Sequence, residues 1–275
     1  MHRSALTAVV VFAACSGGAA PQSEPSRPAI PASPSFPAAA SMPRASDDRA
    51  REIADRVMTS LGGKEAWDRT HYLRFGFGGV RDGKWSGRTH HWDKWSGRYR
   101  VEGTTRDGKP FLTLMNLNTK QGEAWLEGKK LEGDDLAKAL ERGYGMWVND
   151  TYWLLMPYKL NDPGVVLTYA GEDKDKGTTY DKLQLRFESV GLTPKDTYWV
   201  WVNRDTGMVD RWDYVLNGES VAPTTWRWTG WKKYGDIMLA GERTNAKDDG
   251  KILLPEIAVF DSLPDSVFTS PDPVR

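Results

Sequence analysis

The sequence predicts a mainly β domain in which a large curved antiparallel sheet forms an open half-barrel, with two or three helices over its concave face. About ten segments alternate apolar and polar residues and are separated by short turn sequences. Helical periodicity is confined to two other stretches, so helices can cover only one face of the sheet. Tryptophan is abundant, with 13 in 275 residues, and such large side chains suit a broad, shallow core.

The first 15 residues predict an export signal that ends in a lipid-attachment site. A basic start precedes the apolar run Ser4 to Ala14, which is too short to span a bilayer. Cys15 is the only cysteine, and Phe12-Ala13-Ala14-Cys15 resembles the lipobox of bacterial lipoproteins, although leucine is usual where Phe12 stands. Cleavage after Ala20, with Cys15 discarded, is the alternative. A lipidated Cys15 would hold the chain on a membrane.

The rest of the chain divides by composition into three parts. Residues 16–46 are rich in Pro, Ala and Ser and predict a disordered tether, because they cannot bury enough apolar surface to offset their ordering entropy. The folded domain is expected at 47–265, followed by a C-terminal tail at 266–275. Ser16 after the cysteine points to the outer membrane, facing the periplasm. The formal net charge is zero, which offers no basic face for nucleic acid.

The domain is expected to open with a helix and continue in hairpins. Ser46 or Asp47 can cap the helix, and Gly62-Gly63 supplies its C-terminal stop. The segment Tyr180 to Glu188 alternates cleanly, and Arg204 to Gly207 forms a four-residue hairpin loop. The last strand is predicted from Lys251 to Phe260.

A second helical stretch interrupts the strands in the middle of the chain. Asp134-Asp135 are predicted to cap it, and Gly143 and Gly145 to break it. It resumes from Met146 to Met156 and stops at Pro157, which cannot continue a helix. This second part is the most apolar segment of the domain.

Several motifs together resemble the LolA/LolB-like half-barrel superfamily of periplasmic lipoprotein carriers and sensors. They are the helix-first start from Ile53 to Gly63, the apolar helical insertion, and Tyr198-Trp199-Val200-Trp201-Val202-Asn203-Arg204-Asp205-Thr206-Gly207-Met208-Val209-Asp210-Arg211. The segments Trp153-Leu154-Leu155-Met156-Pro157-Tyr158-Lys159-Leu160 and Val190-Gly191-Leu192-Thr193-Pro194 look like a related domain of unknown function. The likeness covers about residues 48–260. It implies a concave apolar face, lidded by helices, that accepts acyl chains, and a lipidated chain fits LolB-like acceptors better than soluble LolA.

The interpretation is an envelope lipoprotein that binds a lipid, an acyl chain or a lipidated partner without catalysis or cofactor. The ligand is expected between the sheet and the Met146 to Met156 segment. The residues predicted to line the pocket are Trp147, Trp153, Leu154, Phe75, Leu185 and Phe187. Each of them is also compatible with a place in the plain core. The sequence does not determine the oligomeric state.

No motif in the sequence demands an enzyme or a metal site. Nucleophile-elbow, phosphate-loop and His-Glu-x-x-His patterns are absent. His90 and His91 point to opposite faces of a strand and are expected to be exposed or on an edge strand. Asp173, Asp175 and Gly177 only partly match a calcium loop, so a solvated hairpin tip is favoured.

Two other classes of function stay open at this stage. One is an envelope sensor or assembly factor that uses the half-barrel as a protein-binding scaffold. The other is a carbohydrate-binding protein or hydrolase that uses a tryptophan-rich face, since Trp199 and Trp201 share one face of a strand, as do Trp226 and Trp228.

Overall fold

The computed structural model describes residues 47–188, 193–247 and 250–274. Cys15, the segments predicted to be an export signal and a tether, and residues 190–192 of one motif lie outside these ranges. The described helices are α1 (Asp48–Ser60), α2 (Lys64–Arg69), α3 (Gly133–Leu155) and α4 (Ser266–Thr269), with a 3-10 turn at Met156–Lys159 after α3. No helix among the described residues is both long and apolar enough to cross a bilayer.

The strands within the described ranges form one 14-stranded antiparallel sheet. They are β1 (Tyr72–Arg81), β2 (Lys84–Asp93), β3 (Arg98–Thr104), β4 (Pro110–Asn116), β5 (Gln121–Leu126), β6 (Lys129–Lys130), β7 (Val165–Asp175), β8 (Thr178–Phe187), β9 (Thr197–Asn203), β10 (Val209–Val215), β11 (Thr224–Tyr234), β12 (Ile237–Asn245), β13 (Lys251–Leu253) and β14 (Ala258–Phe260). The predicted fold class, a mainly β curved sheet with few helices, is confirmed.

The order of the strands explains how the helices come to lie on one face. The order is β6-β5-β4-β3-β2-β1-β13-β12-β11-β10-β9-β8-β7, and β14 also pairs with β1. The chain therefore runs from the middle of the sheet to one edge, crosses through α3 to the other edge, and returns to the middle. Helix α3 contacts β4, β5 and β12, so it lies across the concave face and touches both halves of the sheet.

The local signals for the first helix and the hairpins are confirmed. Asp47 caps α1, and its Oδ1 accepts from the backbone N of Ala50 at 2.7 Å. Gly62 follows the helix with φ +112°, a conformation that favours glycine. Gly207 adopts φ +70° in the hairpin loop between β9 and β10, as the turn sequence predicts.

The predicted break in the second helix is wrong. Helix α3 is continuous through Gly143 and Gly145, and Asp134-Asp135 lie in its first turn, where negative charge is favourable, while Glu132 is the N-cap. The helix tolerates Gly143 because it approaches the sheet there: a Cβ on Gly143 would lie 3.1 Å from Thr113 Cγ2. Tertiary packing overrides the weak helix propensity of glycine.

The predicted last strand and the predicted exposure of the histidines are also wrong. The segment from Lys251 to Phe260 splits into β13 and β14, because Pro255 lies between them and its ring occupies the space beside Gly76, 2.7 Å from where a Cβ would be. Its carbonyl accepts from the backbone N of Gly76 at 2.7 Å. His90 and His91 do face opposite sides of β2, but both are buried, with 0% and 3% exposure.

The concave face is packed mainly with aromatic and aliphatic side chains. Trp212 and Trp228 are fully buried in the main core, with ring centroids 5.4 Å apart. Trp153 reaches down from α3 and meets Trp212 edge-on at 4.7 Å. The tryptophans of this face therefore fill the interior of the half-barrel.

Candidate ligand site under helix α3

An unfilled gap of about 200 Å³ lies between the first half of α3 and strands β4 and β5. It is lined by Phe111, Thr113, Trp125, Leu126, Leu131, Asp135, Lys138, Ala139, Arg142, Gly143 and Met146. Most of the wall is apolar, and the charged members come from α3. Gly143 lines the gap at a close approach of α3 to β4, since a Cβ on it would lie 3.1 Å from Thr113 Cγ2 and 3.4 Å from Met115 Sδ.

Two cations stand beside this gap on consecutive turns of α3. Lys138 and Arg142 are four residues apart, so both project from the same side of the helix. Both are exposed, and neither forms an ion pair with another described residue. An anionic amphiphile fits this arrangement, because its charged head group can pair with the two cations and its hydrocarbon tail can enter the apolar gap.

The second half of α3 is fixed to the sheet by a buried charged network. Asp150 is fully buried and accepts two hydrogen bonds from Arg88, at 2.5 and 2.6 Å. His90 Nε2 lies 2.9 Å from the same carboxylate, and His90 Nδ1 lies 2.7 Å from the Tyr99 hydroxyl. This network joins α3 to β2 and β3.

The pKa values in this network follow from burial and pairing. Burial lowers the pKa of His90, against the opposing pull of Asp150. Burial acts to raise the pKa of Asp150, but contacts with His90 and Arg88 outweigh it and the pKa is lowered. Asp150 is therefore ionised at neutral pH, and His90 is neutral. The charge pair that fixes α3 is Arg88 with Asp150.

A second buried cation fixes the C-terminal end of α3. Arg243 has 0% exposure, and its Nη2 donates to the Trp153 carbonyl at 2.6 Å. Its guanidinium carbon lies 3.5 Å from the ring centroid of Trp228. Burial lowers the pKa of Arg243, but carbonyls at a helix C-terminus favour a cation. Buried charged links through Asp150 and Trp153 therefore fix the second half of α3 to the sheet, whereas the gap lies under the first half.

The six residues predicted to bind ligand fall into two separate apolar clusters. Phe75, Leu154 and Leu185 are fully buried in the main core, and Trp153 and Phe187 are half-buried against it. Trp147 packs in a second cluster that also contains Met146 and Phe111, two residues of the gap wall. The structure therefore brings five of the six together in one core and places Trp147 beside the gap.

No pattern in the sequence identifies Arg88, Asp150 or Arg243 as parts of the site. The alternation of residues in β2 and β12 indicates which face of the sheet Arg88 and Arg243 occupy, but it does not show which groups they pair with. Asp150 did carry a signal, because it is the one acidic residue in the apolar segment Met146 to Met156, and a lone charge there needs a partner.

No group of three or more His, Cys, Asp or Glu side chains in the described ranges is arranged to hold a metal ion. At the β7–β8 hairpin, Asp173 accepts from Trp201 Nε1 at 2.7 Å and Asp175 pairs with Arg227 at 2.8 Å. The acidic residues of that hairpin are therefore engaged with side chains of the sheet.

Fold and site together define an open half-barrel with an apolar gap under its crossing helix. The chain matches no protein-family model and no curated protein. Among solved structures it is similar to a DUF1329 family protein from Desulfovibrio piger, with 13% identity, a TM-score of 0.47, and coverage of 81% of this chain and 98% of that one.

Two further solved structures are similar to the chain. One is a LolA superfamily protein from Nitrosomonas europaea, with 12% identity, a TM-score of 0.44, and coverage of 80% of this chain and 97% of that one. The other is a putative outer membrane lipoprotein-sorting protein domain from Vibrio parahaemolyticus, with 12% identity, a TM-score of 0.44, and coverage of 80% and 96%. The mainly β sheet with few helices that the sequence predicts is present in the structure itself. At these identities the likeness concerns the fold, and no function is taken from it.

Proposed function

We propose that this chain is a non-catalytic envelope lipoprotein that binds the acyl chain of an amphiphile in its half-barrel. The amphiphile is a lipid or a lipid-modified protein. The observation that carries the proposal is the apolar gap under α3, bordered by the unpaired cations Lys138 and Arg142. Each methylene moved from water into such a gap contributes about 0.8 kcal/mol, so no elaborate polar site is needed.

The gap must widen to hold a whole acyl chain. Its volume of about 200 Å³ is below the roughly 300–1,000 Å³ of typical small-molecule sites. The first half of α3 can lift from β4 and β5, since the buried links through Asp150 and Trp153 hold only the second half. Gly143 and Gly145 weaken the helix between the two halves, by about 1 kcal/mol each relative to alanine.

The six predicted residues have defined parts in this proposal. Trp147 borders the gap through its neighbours in the second cluster, so the acyl chain reaches it first as the helix lifts. Trp153, Leu154, Phe75, Leu185 and Phe187 lie in or against the main core and would meet only a chain long enough to extend past the gap. The head group stays at the surface with Lys138 and Arg142.

The proposal includes an anchor and a location. A lipid on Cys15 would hold the domain at the outer membrane, facing the periplasm, with residues 16–46 as the tether. The binding site would then meet membrane lipids or lipidated proteins at short range.

Filling the gap is expected to abolish binding. Ala139 is 9% exposed and lines the gap, so Ala139→Phe places a ring where the acyl chain enters. We expect at least about a tenfold loss of affinity for dodecanoate, measured by isothermal titration calorimetry on the full chain. Stability should be unchanged or higher, because the ring fills apolar space.

The matched control is Ala137→Phe on the same helix. Ala137 is exposed to solvent, so this change adds the same ring away from the gap and should leave dodecanoate binding intact. Equal affinities for wild type and Ala139→Phe would exclude the gap as the site. Absence of dodecanoate binding by the wild-type chain would contradict the proposed function itself.

A further inference from the structure

A second, larger concavity lies on the convex face of the sheet, away from α3. It has a volume of about 530 Å³, within the range of small-molecule sites. Its floor includes Trp199, Thr197 and Gln184, and the loop from Gly218 to Pro223 forms one wall. Trp199 and Gln184 point away from the core, because the next residue in each strand, Val200 and Leu185 respectively, is buried in the core and successive side chains face opposite sides.

Trp199 differs sharply from Trp201, which lies two residues further along the same face of β9. Trp201 is 3% exposed and its Nε1 donates to Asp173 at 2.7 Å. Lys182 and Arg211 lie over its ring, at 4.5 and 3.9 Å from the centroid. Trp199 is only half-buried, and its side chain makes no hydrogen bond or ring contact with any described residue. Its indole face and N–H are free to meet a ligand.

The polar side chains around Trp199 are also unused by the protein. Gln184, Arg186, Thr197 and Glu219 line the groove, and within the described residues none of their side chains forms a hydrogen bond or an ion pair. They offer both donors and acceptors. Arg186 and Glu219 carry opposite charges, so the groove has no preference for a strongly charged ligand.

We propose that this groove binds a saccharide, with one sugar ring stacked on Trp199. A sugar presents C–H groups on the face of its ring and hydroxyl groups around its edge. The free indole face fits the first, and the mixed donors and acceptors of Gln184, Arg186, Thr197 and Glu219 fit the second. This site is separate from the gap under α3 and does not rest on the proposed lipid binding.

The test is calorimetric titration of the full chain with tetrasaccharides built from glucose and from N-acetylglucosamine. We expect at least one of them to bind, and Trp199→Ala to weaken that binding by about tenfold or more, because the stacking surface is lost. Trp95→Ala is the matched control, since Trp95 is 60% exposed in the β2–β3 loop outside the groove and should not affect the titration.

Dodecanoate binding, measured on the same variants, separates this site from the gap. Trp199→Ala should bind dodecanoate like the wild type, and an unchanged circular dichroism spectrum shows that the variant is folded. Failure of the wild-type chain to bind any of the tetrasaccharides would overturn the proposal. So would equal saccharide affinities for Trp199→Ala and Trp95→Ala, or a loss confined to dodecanoate in Trp199→Ala.

Discussion

Asp150→Asn is expected to lower the free energy of unfolding by about 3 kcal/mol or more, because it removes the carboxylate of a buried charged network. Arg88 would keep its charge, no other carboxylate in the described ranges pairs with it, and its side chain is only 26% exposed. The attachment of α3 to β2 would weaken at the same time. Urea denaturation at neutral pH measures the change. Asp162→Asn is the control, since the Asp162 pair with Lys159 is largely exposed and should contribute at most about 1 kcal/mol.

The same carboxylate gives the stability of the wild-type protein an acid limit. The pKa of Asp150 in the folded protein is below its ordinary value of 3.8. Its contribution is therefore present above that value and is lost as the pH falls through the folded pKa. Asp150→Asn cannot lose this contribution, so its unfolding free energy should fall less steeply below pH 4. An acid limb as steep as that of the wild type would show that Asp150 is not the group responsible.

Trp212→Ala is expected to cost about 3–5 kcal/mol, the usual range for deleting a large buried aromatic side chain. Trp212 is 1% exposed and contacts the rings of Trp153, Trp228 and Tyr198. Chemical denaturation followed by circular dichroism measures the loss.

The control for this change is again Trp95→Ala, which removes an equally large but exposed side chain and should cost less than about 1 kcal/mol. The comparison decides what the inward tryptophans do. A loss at Trp212 no larger than that at Trp95 would mean that the concave face is not held together by its aromatic side chains, contrary to the packing described above.

The parts of the fold that depend on local chemistry could be predicted from the sequence. The cap at Asp47 and the stop at Gly62 define α1 through groups within a few residues of each other. The clean alternation from Tyr180 to Glu188 is reflected in β8, where Leu183 and Leu185 are both buried in the core, because successive side chains in a strand face opposite sides.

The parts that depend on distant contacts could not be predicted in this way. Gly143 reads as a helix breaker until Thr113 is placed beside it by the crossing of α3 over β4. Pro255 reads as part of a strand until Gly76 provides the space for its ring. The sequence around His90 suggests an exposed or edge-strand residue, because the contact with Asp150 that accompanies its burial comes from the distant helix α3.

The candidate site shows the same division. The apolar character of the segment Met146 to Met156 correctly indicated where α3 meets the core. The gap lies mostly earlier in α3, at Ala139 and Gly143, although Met146 also lines it, and its opposite wall includes Phe111 and Trp125. Strand pairing and the path of α3 bring those residues together, and the periodicity of the sequence does not reveal either of these.

The most direct test of the central claim is to lock α3 onto the sheet and measure ligand binding. A Cβ on Gly143 would lie 3.5 Å from Thr113 Cβ, within the range of about 3.5–4.5 Å that suits a disulfide. The double variant Gly143→Cys/Thr113→Cys, made with Cys15→Ser to remove the native thiol, should bind dodecanoate when reduced and lose that binding when oxidised. Equal affinity in the two redox states would contradict the account, because the ligand would then enter without α3 leaving β4.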